Sequence, residues 1–286
     1  MDSKFKTVRL AAYQGPAEPG ALERNAETAL RELAVAYRNR ADFACMPESF
    51  LSGYGAPDDL KAGSCSVSGT WFKKWLRRCN FGDMVAIIGF TEKRGSRYYN
   101  SAAVIQHQRL LGVYSKSFCG SSYELALCTF DSKFPVFIAN GITFGVIICA
   151  DSTPIEPSLI LAAKGARIIF SPHYNYIDMG GINDHYVRVR NNHVARAVEN
   201  NCWVVRSNSV TAPLRKMGQY EGFGYGDAVI LDNRGAPRAE AGIFTSGWIF
   251  ANAPRSDLIQ KRPSRIASIP KKIRQQVARL YQNGKA

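Results

Sequence analysis

Residues 134–151 read FPVFIANGITFGVIICAD, which is two apolar segments separated by an Asn-Gly pair. The dipeptide Asn140-Gly141 is a strong signal for a two-residue hairpin turn, because both residue types tolerate the backbone that such a turn requires. The flanking segments, residues 134–139 and 142–149, are rich in residues that favour strands. The stretch therefore predicts an antiparallel hairpin whose second strand ends at a thiol, Cys149.

Strand and helix patterns alternate along the rest of the chain, but hairpins are mixed in among them. Further strands are predicted over residues 7–14, 42–46, 84–90, 101–106, 110–114, 167–171, 202–208, 226–231 and 238–242. Helices are predicted over residues 21–39, 71–78, 157–165 and 185–200, the first from apolar residues that recur at steps of three and four. Because parallel sheets alone would contain no hairpins, we expect an α/β fold with mixed sheets that are covered by helices.

The composition is that of an ordinary globular protein, with 46% hydrophobic and 21% charged residues. No repeat or low-complexity linker divides the chain, so we expect a single domain over residues 1–286. Residues 254–286 are basic and punctuated by proline, and we expect them to form a C-terminal arm or terminal helix. No apolar run approaches the length of a membrane span, so no membrane partner is expected.

The formal net charge of +14 favours anionic partners of any kind. The basic runs near residues 73–78 and 271–274 have no interleaved aromatic residues, so we expect solvated faces and no specific nucleic-acid site. The seven cysteines are odd in number and form no C-x-x-C pair. This pattern favours reduced thiols in the cytoplasm over a zinc site or a disulfide framework, and the N-terminus shows no signal-like cleavage site.

Three residues that could carry chemistry each follow a different predicted strand. Glu48 follows residues 42–46, Lys116 follows residues 110–114, and Cys149 closes the hairpin described above. A buried carboxylate near a thiol can act as its general base, and a cation can stabilise an oxyanion. Taken singly, each has a more ordinary explanation: a small buried cysteine, a loop glutamate in an ion pair, and a surface lysine.

The occurrence of all three residues in the order Glu, Lys, Cys favours the catalytic explanation over the ordinary ones. In this order and in the stretches around them, the sequence resembles the carbon–nitrogen hydrolases of the nitrilase superfamily over most of its length. The matching stretches are residues 47–54, 114–116, 145–151, 164–166, 171–172, 196–200 and 226–232, followed by Gly235. The resemblance implies a four-layer αββα sandwich of two mixed β-sheets and a Glu48-Lys116-Cys149 catalytic triad. It also implies that Glu124 is a second glutamate that orients Lys116 and the substrate amide; a solvent-exposed loop position is the alternative.

The resemblance also bears on the substrate. Residues 149–156 contain no arginine after the cysteine, and this absence disfavours N-carbamoyl amino acids, whose carboxylate family members often hold there. The aspartate two places after the cysteine, Asp151, is a feature of the amidase-like branches and not of the nitrile hydrolases.

The candidate substrate-binding residues are Tyr54, Ala150, His173, Tyr174 and Asn175. His173 is as well explained as a structural histidine. His185, Arg188 and Arg190 could hold an acidic group, but a solvated helix face is favoured.

We therefore expect hydrolysis of a small amide or N-carbamoyl compound through a cysteine thioester, with no metal or organic cofactor. Nitrile hydrolysis or acyl transfer by the same triad is the alternative within enzymes, and a basic binding protein that retains only the fold is the alternative outside them. The expected partners are a small-molecule substrate and further copies of the chain, in a homodimer or higher homo-oligomer.

Overall fold

The computed structural model describes residues 6–211, 215–217, 220–259 and 268–282, which form strands and helices in alternation. In chain order the elements are β1 (Thr7–Gln14), α1 (Leu22–Arg38), β2 (Phe43–Cys45), α2 (Pro57–Ala62), α3 (Thr70–Arg78), β3 (Val85–Arg94), β4 (Arg97–Gln106), β5 (Arg109–Ser115), α4 (Ser122–Leu127), β6 (Val136–Ala139), β7 (Ile142–Val146), α5 (Glu156–Ala163), β8 (Ile168–Pro172), β9 (Tyr176–Ile177), α6 (Ile182–Asn200), β10 (Trp203–Ser207), β11 (Arg215–Met217), β12 (Tyr220–Gly224), β13 (Val229–Leu231), β14 (Pro237–Glu240), β15 (Gly247–Pro254), α7 (Arg255–Ile259) and α8 (Lys271–Gln282). A 3₁₀ turn, Cys149–Ser152, lies between β7 and α5.

The strands form two six-stranded sheets of similar design. The first has the order β15-β1-β2-β3-β4-β5 and the second the order β14-β13-β10-β8-β7-β6, while β11, β12 and β9 form a small third sheet. In the first sheet, β1, β2 and β3 are parallel and the outer strands are antiparallel. In the second, β7, β8 and β10 are the parallel centre. The prediction of mixed sheets is therefore confirmed.

Strand alternation directs side chains to two different apolar layers. Along β2, Phe43 and Cys45 enter the core between the two sheets, whereas Ala44 faces the layer that contains α1 and α3. Between the sheets, the ring of Phe43 lies 5.3 Å from that of Phe144 and 5.7 Å from that of Phe170, measured between centroids. Each fully buried ring of this kind contributes about 1.5–3 kcal/mol to folding.

The outer faces of both sheets are covered by helices. Alanines and Leu33 on one side of α1 pack with Phe72 and Trp75 of α3 against the first sheet. Leu161 of α5 and Ala197 of α6 belong to the core that includes the second sheet. The order helix, sheet, sheet, helix is the four-layer αββα sandwich that the resemblance implied.

The loops that carry polar residues meet at one edge of this sandwich. Because β4 is antiparallel to both β3 and β5, β5 runs in the direction of β2 and ends at the same edge. A parallel bridge between Gln14, at the end of β1, and Asn208, just after β10, brings the ends of the two sheets together. The segments that follow β2, β5, β7 and β8 therefore converge there.

Several element boundaries differ from the sequence prediction. Strand β7 ends at Val146 and not at Cys149. Ile147 and Ile148 are buried in the core, but they do not belong to the strand. The sequence analysis did not predict helices α2 and α4 or strands β9, β11, β12 and β15. Within residues 254–286, Leu258 of α7 is buried in the core, whereas α8 has no buried residue along its length. None of the described helices is both long and apolar enough to cross a bilayer.

Candidate active site

The three predicted catalytic residues line one cavity at the edge where the loops converge. Glu48 lies three residues after β2, Lys116 directly follows β5, and Cys149 begins the 3₁₀ turn after β7. The cavity has a volume of about 350 Å³. Its described lining includes all three residues, and Lys116 is the only lysine or arginine in it.

The centre of the site is a lysine held between two glutamates. Lys116 Nζ lies 2.7 Å from Glu48 Oε1 and 2.7 Å from Glu124 Oε1, and all three side chains are at most 1% exposed. Glu124 belongs to the first turn of α4, so the alternative of a solvent-exposed loop position is wrong. Ser121 caps this helix by accepting the Glu124 N–H at 3.2 Å, and the Gly120 N–H donates to Glu124 Oε2 at 2.7 Å.

A residue that the sequence prediction missed completes this cluster. Asn100 on β4 donates from Nδ2 to Glu48 Oε1 at 2.8 Å and to Glu124 Oε1 at 2.6 Å. Its signal in the sequence was weak: one asparagine in the strand Arg97–Gln106, next to a run of small and apolar residues. A polar side chain in a buried strand needs a partner, and here the partners are the two carboxylates.

The two glutamates have opposite pKa shifts, although they share one lysine. Burial raises the pKa of Glu48 to about 7, against the opposing effect of Lys116. Burial also acts to raise the pKa of Glu124, but the Lys116 charge and the hydrogen bonds from Lys116, Gly120 and Asn100 outweigh it, so the pKa is lowered. Two carboxylates whose surroundings separate their pKa values in this way mark an acid/base site.

The lysine and the cysteine are each fixed in one protonation state at neutral pH. Burial acts to lower the pKa of Lys116, but Glu124 and Glu48 raise it well above its usual value, so the ammonium is kept. Burial and the negative charge of Glu48 raise the pKa of Cys149, so the resting thiol is protonated. Glu48 is thus the group in this cluster that can take up or release a proton near pH 7.

The loops that carry Glu48 and Cys149 are held in uncommon backbone conformations. Cys149 has φ of 47° and Ser49, next to Glu48, has φ of 50°. Gly89 of β3 permits the second of these, since a Cβ there would lie 2.4 Å from Pro47 O and from the Ser49 N. Strained residues of this kind persist where their surroundings over-determine them, and they concentrate at functional sites.

Asp151 ties the cysteine turn to the lysine loop. Its Oδ2 accepts from the Tyr114 hydroxyl at 2.7 Å and from the Ile148 N–H at 2.9 Å. Its Oδ1 accepts from the N–H groups of Ser117 and Phe118 at 3.1 and 2.8 Å. One fully buried carboxylate therefore links the segments on either side of the cavity.

The predicted substrate-binding residues divide into two groups. Tyr54, Tyr174 and Asn175 line the cavity, and the rings of the two tyrosines stack with centroids 4.7 Å apart. Ala150 and His173 are not among the lining residues. The His173 ring is buried and is hydrogen-bonded at 3.2 Å to Oδ1 of Asn175, which does line the cavity.

The three polar residues of α6 that the sequence singled out differ in whether they line the cavity. His185 lines the cavity, and its Nδ1 lies 2.8 Å from the hydroxyl of Tyr225. Burial lowers the pKa of His185 to about 4, so the ring is neutral at physiological pH. Arg188 is exposed, and Arg190 is paired with Asp227. The solvated face that the sequence favoured holds for Arg188, whereas His185 faces the site.

Known proteins resemble this chain over most of its length. The family model described as Carbon-nitrogen hydrolase matches residues 9–263. An (R)-stereoselective amidase from Pseudomonas sp. is 27% identical over 171 residues, which are 60% of this chain and 60% of that enzyme. A glutamine-dependent NAD(+) synthetase from Xylella fastidiosa is 25% identical over 273 residues, which are 89% of this chain but only 46% of the synthetase. The chain thus spans about half the length of that second relative.

Solved structures agree with the architecture. A mutant of the amidase from Nesterenkonia sp. AN1, which shows covalent addition of the acetamide moiety of fluoroacetamide at its active-site cysteine, superposes with a TM-score of 0.71. The two chains are 20% identical, and the match covers 98% of this chain and 97% of the other. At this identity the likeness establishes the fold. Within the described part of the chain, no three His, Cys, Asp or Glu side chains form a group that could hold a metal ion.

Proposed function

Because the chain belongs to the carbon–nitrogen hydrolase family, we propose that it hydrolyses the C–N bond of a small amide or N-carbamoyl compound through a thioester on Cys149. The observation that carries this proposal is that the two glutamates bound to Lys116 have pKa values shifted in opposite directions. Glu48 has a pKa of about 7 beside the thiol, and Glu124 stays ionised as the partner of the lysine. A base that titrates near the working pH is what proton transfer from a thiol requires.

The reaction begins with the neutral thiol. Glu48 accepts the Cys149 proton as the sulfur attacks the carbonyl carbon, and a tetrahedral intermediate forms. The Lys116 ammonium and the backbone N–H of Ala150, which follows the nucleophile, stabilise its oxyanion. The intermediate collapses with cleavage of the C–N bond, and Glu48 returns the proton to the departing nitrogen, leaving ammonia or an amine and an acyl thioester.

The second half of the reaction uses the same groups. A water molecule enters the place of the departed amine and gives a proton to Glu48 as its oxygen attacks the thioester carbon. Lys116 again stabilises the oxyanion, and collapse expels the Cys149 sulfur, which recovers its proton from Glu48. The products are a carboxylic acid, or a carbamic acid from an N-carbamoyl substrate, and the free enzyme.

The cavity supports a substrate of modest size. Its volume of about 350 Å³ lies at the small end of ligand pockets. Asp151 and the lack of arginine in residues 149–156 favour an amide without an adjacent carboxylate. The names of two relatives, an amidase and an amidase with an acetamide adduct on its cysteine, support an amide over a nitrile. The cytoplasmic location predicted from the sequence is part of the same proposal, supported by cysteines that are all free.

The proposal is tested with a Cys149→Ala variant and a panel of aliphatic amides, aromatic amides, ureido compounds, glutamine and nitriles. Cys79→Ala is the matched control, because that thiol is also free but is buried at the end of α3, outside the cavity. We expect the control to keep wild-type turnover and the Cys149 variant to lose it. Fluoroacetamide should add one acetamide group to the wild type and none to Cys149→Ala, measured by intact mass. Turnover or adduct formation that survives in Cys149→Ala would refute the nucleophile.

A further inference from the structure

Asn100 contacts every charged member of the buried cluster. Its backbone carbonyl accepts the Lys116 N–H at 2.8 Å, and its side-chain amide donates to both glutamates, as described above. The backbone contact belongs to the pairing of β4 with β5 and would form with any residue. The side-chain amide, however, donates to the two carboxylates and to no other group among the described residues.

The four polar groups form a closed arrangement in which donors and acceptors alternate. Lys116 Nζ and Asn100 Nδ2 each donate to the same two oxygens, Glu48 Oε1 and Glu124 Oε1. The cluster contains two carboxylates and one ammonium, and no other cation lies in the described lining of the cavity. Asn100 therefore occupies the position where a second cation would balance the charge, and it supplies donors without adding charge.

The side-chain oxygen of Asn100 indicates that the amide is placed for function. Asn100 is 2% exposed, and its Oδ1 has no hydrogen-bond partner among the described residues. A buried polar atom without a partner lowers stability and calls for an explanation. A residue that served only to fill the sheet would be apolar at this position, because valine or leucine would leave no such atom.

The arrangement also determines which oxygen of Glu48 is available. Glu48 Oε1 receives donors from Lys116 and Asn100, whereas Oε2 receives the N–H of Tyr174 at 2.8 Å. The Cys149 side chain is hydrogen-bonded to the same carboxylate. The less occupied oxygen is the better acceptor for the proton of Cys149. We propose that Asn100 is a positioning residue, which holds Glu48 and Glu124 on Lys116 and reserves Glu48 Oε2 for proton transfer from the nucleophile; this role rests on the proposed function.

The test replaces Asn100 with leucine, which is similar in size and has no donor, and with aspartate, which has the same shape and adds a third carboxylate. Asn200→Leu is the matched control. Asn200 is also buried, donates to the Arg196 carbonyl at 3.0 Å and has an Oδ1 without a partner, but it lies at the end of α6. The readouts are kcat/KM against pH and the rate of Cys149 alkylation by iodoacetamide against pH, the second of which needs no substrate.

Loss of a hydrogen bond to a charged group should move the proton equilibrium of Glu48 by about one pH unit. In Asn100→Leu, loss of the donor should raise the pKa of Glu48, so we expect the acidic limb of both profiles to move to higher pH by this amount. We expect kcat to fall about tenfold or more. Asn100→Asp should lose more activity than Asn100→Leu, and Asn200→Leu should keep the wild-type limb. A merely structural asparagine would lower the melting temperature without moving either limb.

An unmoved limb in folded Asn100→Leu, or an equal shift in Asn200→Leu, would overturn the assignment. If the leucine variant does not fold, Asn100→Ser keeps one donor in a smaller side chain and should show a partial shift in the same direction. The alkylation profile separates this inference from the proposed function. A wild type that hydrolyses no amide would refute the function, while the shift in Cys149 alkylation would still report on Asn100.

Discussion

Substituting Asp151 with asparagine tests whether the cysteine turn and the lysine loop act as one unit. The carboxylate accepts four hydrogen bonds, two on each oxygen, from Tyr114, Ile148, Ser117 and Phe118. Asparagine has the same shape but replaces one acceptor with a donor. In either orientation, its amide nitrogen must face a backbone N–H that previously had an acceptor.

The less costly orientation places the amide nitrogen where Oδ2 was. The Tyr114 hydroxyl can rotate there and accept, but the Ile148 N–H cannot, so one bond is lost outright and a second is weakened. At about 1.5–3 kcal/mol for a bond to a charged group, we expect about 2–4 kcal/mol of lost stability. The melting temperature should fall by roughly 5–10 °C. A displacement of about 1 Å between thiol and lysine would lower kcat about a hundredfold.

Asp232→Asn provides the matched control. Asp232 is also a buried carboxylate that accepts two backbone N–H groups, from Arg234 at 2.8 Å and Ala236 at 3.0 Å, but it lies in the turn between β13 and β14. Thermal unfolding and steady-state kinetics on both variants separate stability from activity. We expect both to lose stability and only Asp151→Asn to lose kcat. Equal kcat in the two folded variants would show that Asp151 supports the fold and not the geometry of the site.

Three further predictions follow from the structure. If Glu48, with a pKa of about 7, is the base as proposed, kcat/KM should rise tenfold per pH unit below 7 and level off above it; a profile that is flat from pH 5 to 8 would contradict the assignment. Gly89→Ala should lower both kcat and the melting temperature, since overpacking at Pro47 O costs about 1–3 kcal/mol. The sequence-based expectation of a homo-oligomer stays a prediction: light scattering should show at least a dimer, and Phe244→Asp, in an exposed groove with Met179, should reduce the assembly.

The grouping of Glu48, Lys116 and Cys149 could be predicted from sequence only through the resemblance to the carbon–nitrogen hydrolases. Each of the three follows an apolar segment, but taken singly each had a more ordinary explanation as a buried thiol, a paired glutamate or a surface lysine. The hairpin at Asn140-Gly141 could be predicted from the residues themselves, since its turn residues act locally. Such a turn depends on neighbours in the chain and needs no knowledge of the packing.

The predicted end of strand β7 was wrong because residues can be buried without being paired in a strand. Ile147 and Ile148 continue the apolar run of β7, and the sequence prediction extended the strand through them to Cys149. Both side chains are buried, but the backbone leaves the strand after Val146 so that the cysteine turn can form. An apolar pattern reports burial, and it cannot tell a paired strand from a buried approach to a turn.

The electrostatics of the site could not be predicted from sequence, because they arise from contacts between distant segments. Helix α4 has six residues, too few to show a helical period, so the position of Glu124 was uncertain without the resemblance. Asn100 meets Glu48 across 52 positions of the chain. The opposite pKa shifts of the two glutamates result from these contacts and from burial, and no local pattern of residues encodes them.

The site concentrates features that reduce stability, and this concentration is itself informative. Three features each cost free energy: the left-handed backbone at Cys149, the buried charges around Lys116, and an Asn100 Oδ1 that has no partner among the described residues. Well-packed apolar residues in place of the charged cluster would be neutral or stabilising by the usual energetics of buried ion pairs. The two apolar layers on either side of the first sheet hold this strained edge in place, so the fold supplies rigidity where the proposed chemistry needs fixed distances. A protein that only bound an anionic partner would gain nothing from burying Lys116, the only lysine or arginine in the described lining of the cavity, between two carboxylates.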